Sequence, residues 1–170
     1  CGTTIIFAHH HHLITSMNPY NWYYKPFAEL TPHELYAIMH LRSEVFVVEQ
    51  NCVYLDADGK DLSSWHLMGW DGNKLVAYSR LLPAGLAFAE VSIGRVVSSP
   101  AYRGTGAGKT LMETAIKTCK ELFGDEPIRI GAQLYLQKFY ESLGFEQVSD
   151  MYLEDNIPHI EMIREGSSDK

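Results

Sequence analysis

The stretch that most constrains this chain is Val91 to Phe123, where an apolar run passes through a glycine-rich turn into an amphipathic segment. Val91 to Val97 (V-S-I-G-R-V-V) predicts a strand, and Ser98 to Tyr102 (S-S-P-A-Y) a turn. From Lys109 to Phe123, Leu111, Met112, Ala115, Ile116, Cys119, Leu122 and Phe123 recur at helical spacing. Between strand and helix lies Arg103-Gly104-Thr105-Gly106-Ala107-Gly108-Lys109. A turn of this kind aims several backbone N–H groups at one point, and the positive end of the helix dipole adds to them. Closely spaced glycines let an anion approach the backbone without Cβ clashes. The turn therefore predicts a site for a phosphate-bearing ligand.

Spacing separates the possible phosphate loops. A Walker A loop needs four residues between its first glycine and Gly-Lys-Thr. Gly108-Lys109-Thr110 follows Gly104 after three, and the position that should be glycine is Arg103. The dinucleotide pattern G-x-G-x-x-G also fails, since its third glycine would fall on Lys109 or Leu111.

The rest of the chain sets the frame. Its 170 residues, 46% of them apolar, suit one globular domain with a single substantial core. No apolar run reaches the roughly 20 residues that span a bilayer. A net charge of −7 argues against a nucleic-acid surface and suits a cationic substrate. Cys1, Cys52 and Cys119 form no paired framework, which predicts a reducing, cytoplasmic setting. Residues 1–16, with the His9 to His12 tract and without a starting Met, are expected to be an expression-derived leader ahead of Met17. A single domain is expected over 17–164, then a polar tail over 165–170.

Asn21 to Leu30 predicts a first strand ending near Pro26. Thr31-Pro32-His33-Glu34 is a helix start, with Thr as N-cap, Pro in the first turn and Glu three residues after the cap. Val47 to Leu62 reads as a long loop, a feature that is often functional. Trp65 to Trp70 and Lys74 to Leu82 form a hairpin around Asp71-Gly72-Asn73. Phe88 to Ser98 is the strand leading into the glycine turn. Ile128 to Ala132 is a strand, Leu134 to Leu143 a helix stopped by Gly144, and Phe145 to Ser149 and Ile157 to Ile163 the last strands. The order predicts an α+β (mixed α/β) fold, one twisted, mostly antiparallel sheet flanked by helices.

Arg103, Gly106 and Gly108 fit Arg/Gln-x-x-Gly-x-Gly/Ala, and through this pattern the chain resembles the GNAT acetyltransferase superfamily. Lys138-Phe139-Tyr140-Glu141-Ser142-Leu143-Gly144-Phe145 is similar to the F-Y-x-x-x-G-F segment that ends many GNAT cores. Arg42 to Gln50, Asp58-Gly59, His66-Leu67, Ile93 to Ser98 and Ile157 to Ile160 are similar to the ElaA-like branch. The resemblance covers Trp22 to Ile163. It implies acetyl-CoA as donor and an amine as acceptor, a small amine or a protein amine, with no metal.

Residue by residue, the resemblance implies that Val96, Val97 and Ser98 present backbone groups to the pantetheine arm. Arg103, Gly104, Thr105, Gly106, Ala107, Gly108 and Lys109 would hold the pyrophosphate. Tyr140 would sit near the thioester sulfur, as the acid that protonates the leaving thiolate. An alkyl ammonium must first lose a proton, and Glu49 and Glu90 are the candidate bases. Asp56, Asp58 and Asp61 are expected to attract a cationic amine. His66 and His159 are expected to line the acceptor pocket, although a strand histidine is more often packed than functional. Cys52 is a weak candidate for an acyl-carrying nucleophile, having no recognisable partner base. A module that binds acyl-CoA without turnover and a transferase using another acyl-CoA remain the rival readings. Trp22, Tyr23 and Tyr24 suit a homodimer contact and core packing equally.

Overall fold

The computed structural model describes residues 19–167. The expected leader over 1–16, Met17 and the histidine tract lie outside the described residues, as do the last three of the polar tail. Eight strands form one sheet: β1 (Asn21–Pro26), β2 (Trp65–Asp71), β3 (Lys74–Leu82), β4 (Val91–Ser98), β5 (Ile128–Gln133), β6 (Glu146–Gln147), β7 (Tyr152–Glu154) and β8 (Ile157–Arg164). Their order is β1-β2-β3-β4-β5-β8-β6, with β7 also paired to β8. Every pairing is antiparallel except β4 with β5. The expected fold class is what forms.

The helices are α1 (Pro32–Arg42), α2 (Ala107–Phe123) and α3 (Gln137–Glu141). The Thr31 capping box that starts α1 is complete: Thr31 accepts from the Glu34 N–H, and Glu34 accepts from the Thr31 N–H. The sheet separates two apolar layers. One joins Leu67, Val76, Leu81, Val91 and Ile93 to Leu111, Met112, Ala115 and Cys119 of α2. The other joins Met68, Trp70, Leu75, Tyr78 and Val97 to Ile38 and Leu41 of α1 and to Val45. Adjacent Leu67 and Met68 fall in different layers, as strand alternation requires. Trp22 is fully buried on β1 opposite Gly69, where any Cβ would come within 2.8 Å of its ring. Core packing therefore accounts for Trp22.

Three elements depart most from the sequence reading. α1 does not stop near Phe46 in a loop. It continues as a π-helical segment, Ser43–Glu49, with Gln50 N–H bonding Val45 O and Cys52 N–H bonding Val47 O. Segments of this kind recur at functional sites. The last expected helix is a 3₁₀ turn, Leu134–Leu136, followed by the short α3. β7 was not expected at all. It forms a hairpin with β8 through Asp155 (φ 49°) and Asn156 (φ 62°), left-handed positions that Asp and Asn tolerate better than most residues.

Candidate active site

The cleft begins where two strands part. β4 and β5 pair only at Val91–Ile128 and Ser92–Arg129. Beyond these pairs β4 bends, because between Tyr78–Val97 and Arg80–Gly94 one residue of β3 opposes two of β4. The extra residue lies at Arg95–Val96, and Arg95 has φ 49°, unusual for a side chain of its size. Beside the splay lies a cleft of about 660 Å³.

One wall of the cleft comes from β4, the glycine turn and the start of α2. Ile93 to Ser98 line it, together with Arg103, Gly108 and Leu111. Gly104 (φ 76°) and Gly106 (φ 84°) take left-handed conformations with no heavy atom within 4 Å of where a Cβ would stand. Gly106 caps α2 without any side-chain bond, so the N–H groups of Ala107, Gly108 and Lys109 have no partner within the helix. This open, donor-rich cradle fits a pyrophosphate. The loop is tied down from outside: the Thr105 hydroxyl donates to Tyr102 O, and the Tyr102 hydroxyl donates to Asp71 at 2.8 Å. Lys109 leans toward Glu113 at 3.9 Å on the exposed side of α2.

Tyr140, on α3, reaches the same cleft and is 6% exposed. Its ring packs edge-on against Phe139 and Phe145. Burial pushes the phenol up to about 12, with a smaller contribution from Tyr135, so it is protonated at neutral pH. Among the described residues no hydrogen bond holds its hydroxyl.

The other wall is assembled from separate segments: Phe46, Glu49, Gln50, Cys52 and Tyr54, then Gln133 and Tyr135, then Glu154, Asp155, Ile157 and His159. Glu49 is at the rim and pairs with Arg103 at 2.7 Å. His159 Nδ1 lies 2.7 Å from Ile157 O and its ring stacks on Tyr152.

Three expected site residues lie elsewhere. Glu90 precedes the paired end of β4, away from the splay, where Arg129 binds it through Nε (2.9 Å) and Nη2 (2.8 Å) and holds its carboxyl below the usual range. Asp58 gives both oxygens to Arg80, at 2.7 and 2.8 Å, and these bonds hold it well below the ordinary carboxylate range. His66 is fully buried: Nε2–H donates to Asp61 O at 3.0 Å, and Nδ1 accepts from the Tyr78 hydroxyl at 2.8 Å. Burial lowers its pKa. Glu90, expected as a base, and Asp58 and His66, expected as acceptor contacts, are thus not among the residues that line the cleft.

The loop acids as a group are also not a free negative patch. Arg42, wholly buried, binds Asp56 and Asp61 at 2.7 Å each, and Arg80 reaches Asp61 at 2.9 Å. Arg95 Nε is 2.8 Å from Asp56 Oδ1, although its N–H is not aimed at that oxygen. Three arginines face three aspartates, and the charges cancel. Burial opposes ionisation of Asp61, but its bonds to Arg42 and Arg80 outweigh it and lower the pKa. This network fastens the loop after residue 50 to α1, β3 and β4. It was invisible in sequence because its partners are up to 39 residues apart.

Fold and cleft together define an acyl-CoA N-acyltransferase. Residues 60–165 match the acetyltransferase (GNAT) domain family, and the chain belongs to it. It is 48% identical over 140 residues to protein ElaA of Escherichia coli strain K12, which covers 81% of this chain and 92% of that protein. The crystal structure of E. coli ElaA superposes with a TM-score of 0.81 at 45% identity, covering 86% of this chain and 99% of that one. An acyl-CoA N-acyltransferase from Pseudomonas aeruginosa gives a TM-score of 0.82 at 49% identity, covering 85% and 99%. The chain is an acyltransferase.

Proposed function

We propose that this acyltransferase moves an acetyl group from acetyl-CoA to a primary amine by direct attack in a ternary complex. The observation that carries this reading is one cleft lined by Arg103 and Gly108 of the donor-rich glycine turn and by Tyr140. The pyrophosphate sits on the turn, and the pantetheine runs along Val96, Val97 and Ser98. Strand splay leaves backbone N–H groups of β4 unclaimed by β5, and one of these polarises the thioester carbonyl. The amine nitrogen attacks that carbon, the C–S bond breaks, and the thiolate takes its proton from Tyr140. Glu49, at the rim, orients the incoming ammonium. The acceptor is a small amine or an exposed amine of a protein. The free Cys52 and Cys119 support a cytosolic setting.

Calorimetric titration with acetyl-CoA, with ATP as control, tests the donor. Micromolar acetyl-CoA binding with silent ATP, followed by thiol release on adding amines, is the expected outcome. Silence with acetyl-CoA overturns the reading.

A further inference from the structure

We infer that His159 is the base that takes the proton from the acceptor ammonium, an assignment that rests on the transferase reading above. A carbonyl oxygen only accepts, so the 2.7 Å contact with Ile157 O requires the proton on Nδ1. In the neutral ring the lone pair is then on Nε2, and His159 is one of the residues that line the cleft. The side chain is 12% exposed and its plane is held by stacking on Tyr152, with centroids 5.9 Å apart at 27°. Ring, tautomer and orientation are thus set by the β7–β8 hairpin and not by solvent.

Glu154 and Asp155 share the cleft lining with His159, whereas the carboxylates expected from the sequence are tied to arginines. Glu49 is bound to Arg103, Asp58 to Arg80, and Glu90 to Arg129 outside the cleft. Glu154 from β7 lies 3.9 Å from His159 Nε2, too far for a hydrogen bond. The other titratable groups on the elements around His159 are Tyr152 on β7, Asp155 in the hairpin turn, Tyr135 in the turn before α3, and Glu161 on β8 itself. Arg129 neutralises Glu161. Gln133, opposite His159 on β5, carries no charge.

The proton balance closes. R–NH₃⁺ gives a proton to His159 Nε2, and the neutral nitrogen bonds to the thioester carbon. As the C–S bond breaks, the thiolate takes the Tyr140 proton. The nitrogen, now R–NH₂⁺–acyl, returns one proton to the tyrosinate. The products are the amide and the free thiol, and His159 releases its proton to solvent.

The test variant is His159→Asn, whose side-chain amide can still donate to Ile157 O but carries nothing at the Nε2 position. Small alkyl amines accepted by the wild type are compared with fluorinated analogues that are already neutral at the assay pH. For the alkyl amines kcat should fall about 10²–10⁴-fold, and for the neutral analogues by less than about tenfold. Equal losses on both overturn the base assignment alone. A wild type that binds acetyl-CoA and acetylates no amine overturns the transferase reading and this assignment with it. Long-range ¹H–¹⁵N spectra of the histidine rings give an answer that needs no acceptor. A proton found on Nε2 of neutral His159 overturns the assignment, and one on Nδ1 supports it.

Discussion

The two walls of the cleft are made of different material. The wall proposed for the cofactor comes from one contiguous stretch, Ile93 to Leu111, shaped by a bulge and by two left-handed glycines. The wall proposed for the acceptor comes from three separated segments, one of them a hairpin with a two-residue turn. A contiguous backbone site depends on local residue choice and leaves a short motif behind. A site built from remote side chains depends on tertiary packing and leaves almost none. The same division explains why the class of donor is easier to recognise here than the acceptor.

Substitutions should act differently on the two walls. The largest effect is expected from Tyr140→Phe, which removes the proton donor and leaves the ring in place. Turnover should fall about 10²–10⁴-fold while calorimetric acetyl-CoA binding changes little. Unchanged turnover would take Tyr140 out of the chemistry.

Next comes Asp61→Ala, which leaves buried Arg42 and Arg80 short of a counter-charge. Breaking such a pair costs about 3–5 kcal/mol, read by urea denaturation. The network also sets an acid limit. Asp58 and Asp61 titrate lower folded than unfolded, so their stabilisation is present above the unfolded value of about 3.9. It drains away as pH falls through the folded values. Melting temperature should hold between about pH 7 and 5 and drop below about 4, and Asp61→Asn should lessen that drop.

Gly106→Ala should cost about 1–2 kcal/mol, because its φ of 84° suits glycine, and should weaken acetyl-CoA binding. The smallest effect is expected from Glu49→Gln. Glu49 and Arg103 are 40% and 47% exposed, so losing their pair should change stability by less than about 1 kcal/mol. Amine KM should rise a few-fold with kcat nearly unchanged. A collapse of kcat would make Glu49 part of the proton transfer.

Much of the fold was legible. The Thr31 capping box, the Asp71–Asn73 hairpin and the apolar face of α2 are local signals, and each formed where it pointed. The bulge had a trace in Arg95-Val96-Val97, where strand alternation fails. The β7–β8 hairpin had one in Asp155-Asn156, a pair suited to a left-handed turn. Neither was read as such. The loop acids misled for a different reason. Asp56, Asp58 and Asp61 look like a solvated run until folding brings Arg42, Arg80 and Arg95 to them. The positions of Glu90, outside the cleft, and of His159, within it, depend on where β4 and β5 part. No short stretch of sequence encodes that.

The seam between β4 and β5 has a mechanical consequence. Two residue pairs form the spine of an open book, with Glu90–Arg129 as a clasp beside it. From Ser92 to Ser98, β4 stays paired to β3 and parts from β5 over about 20 Å at strand rise. A turn of roughly five degrees about the spine displaces its tip by about 1.7 Å over that lever arm. In the ternary complex proposed above, the spine would set the gap between nucleophile and thioester.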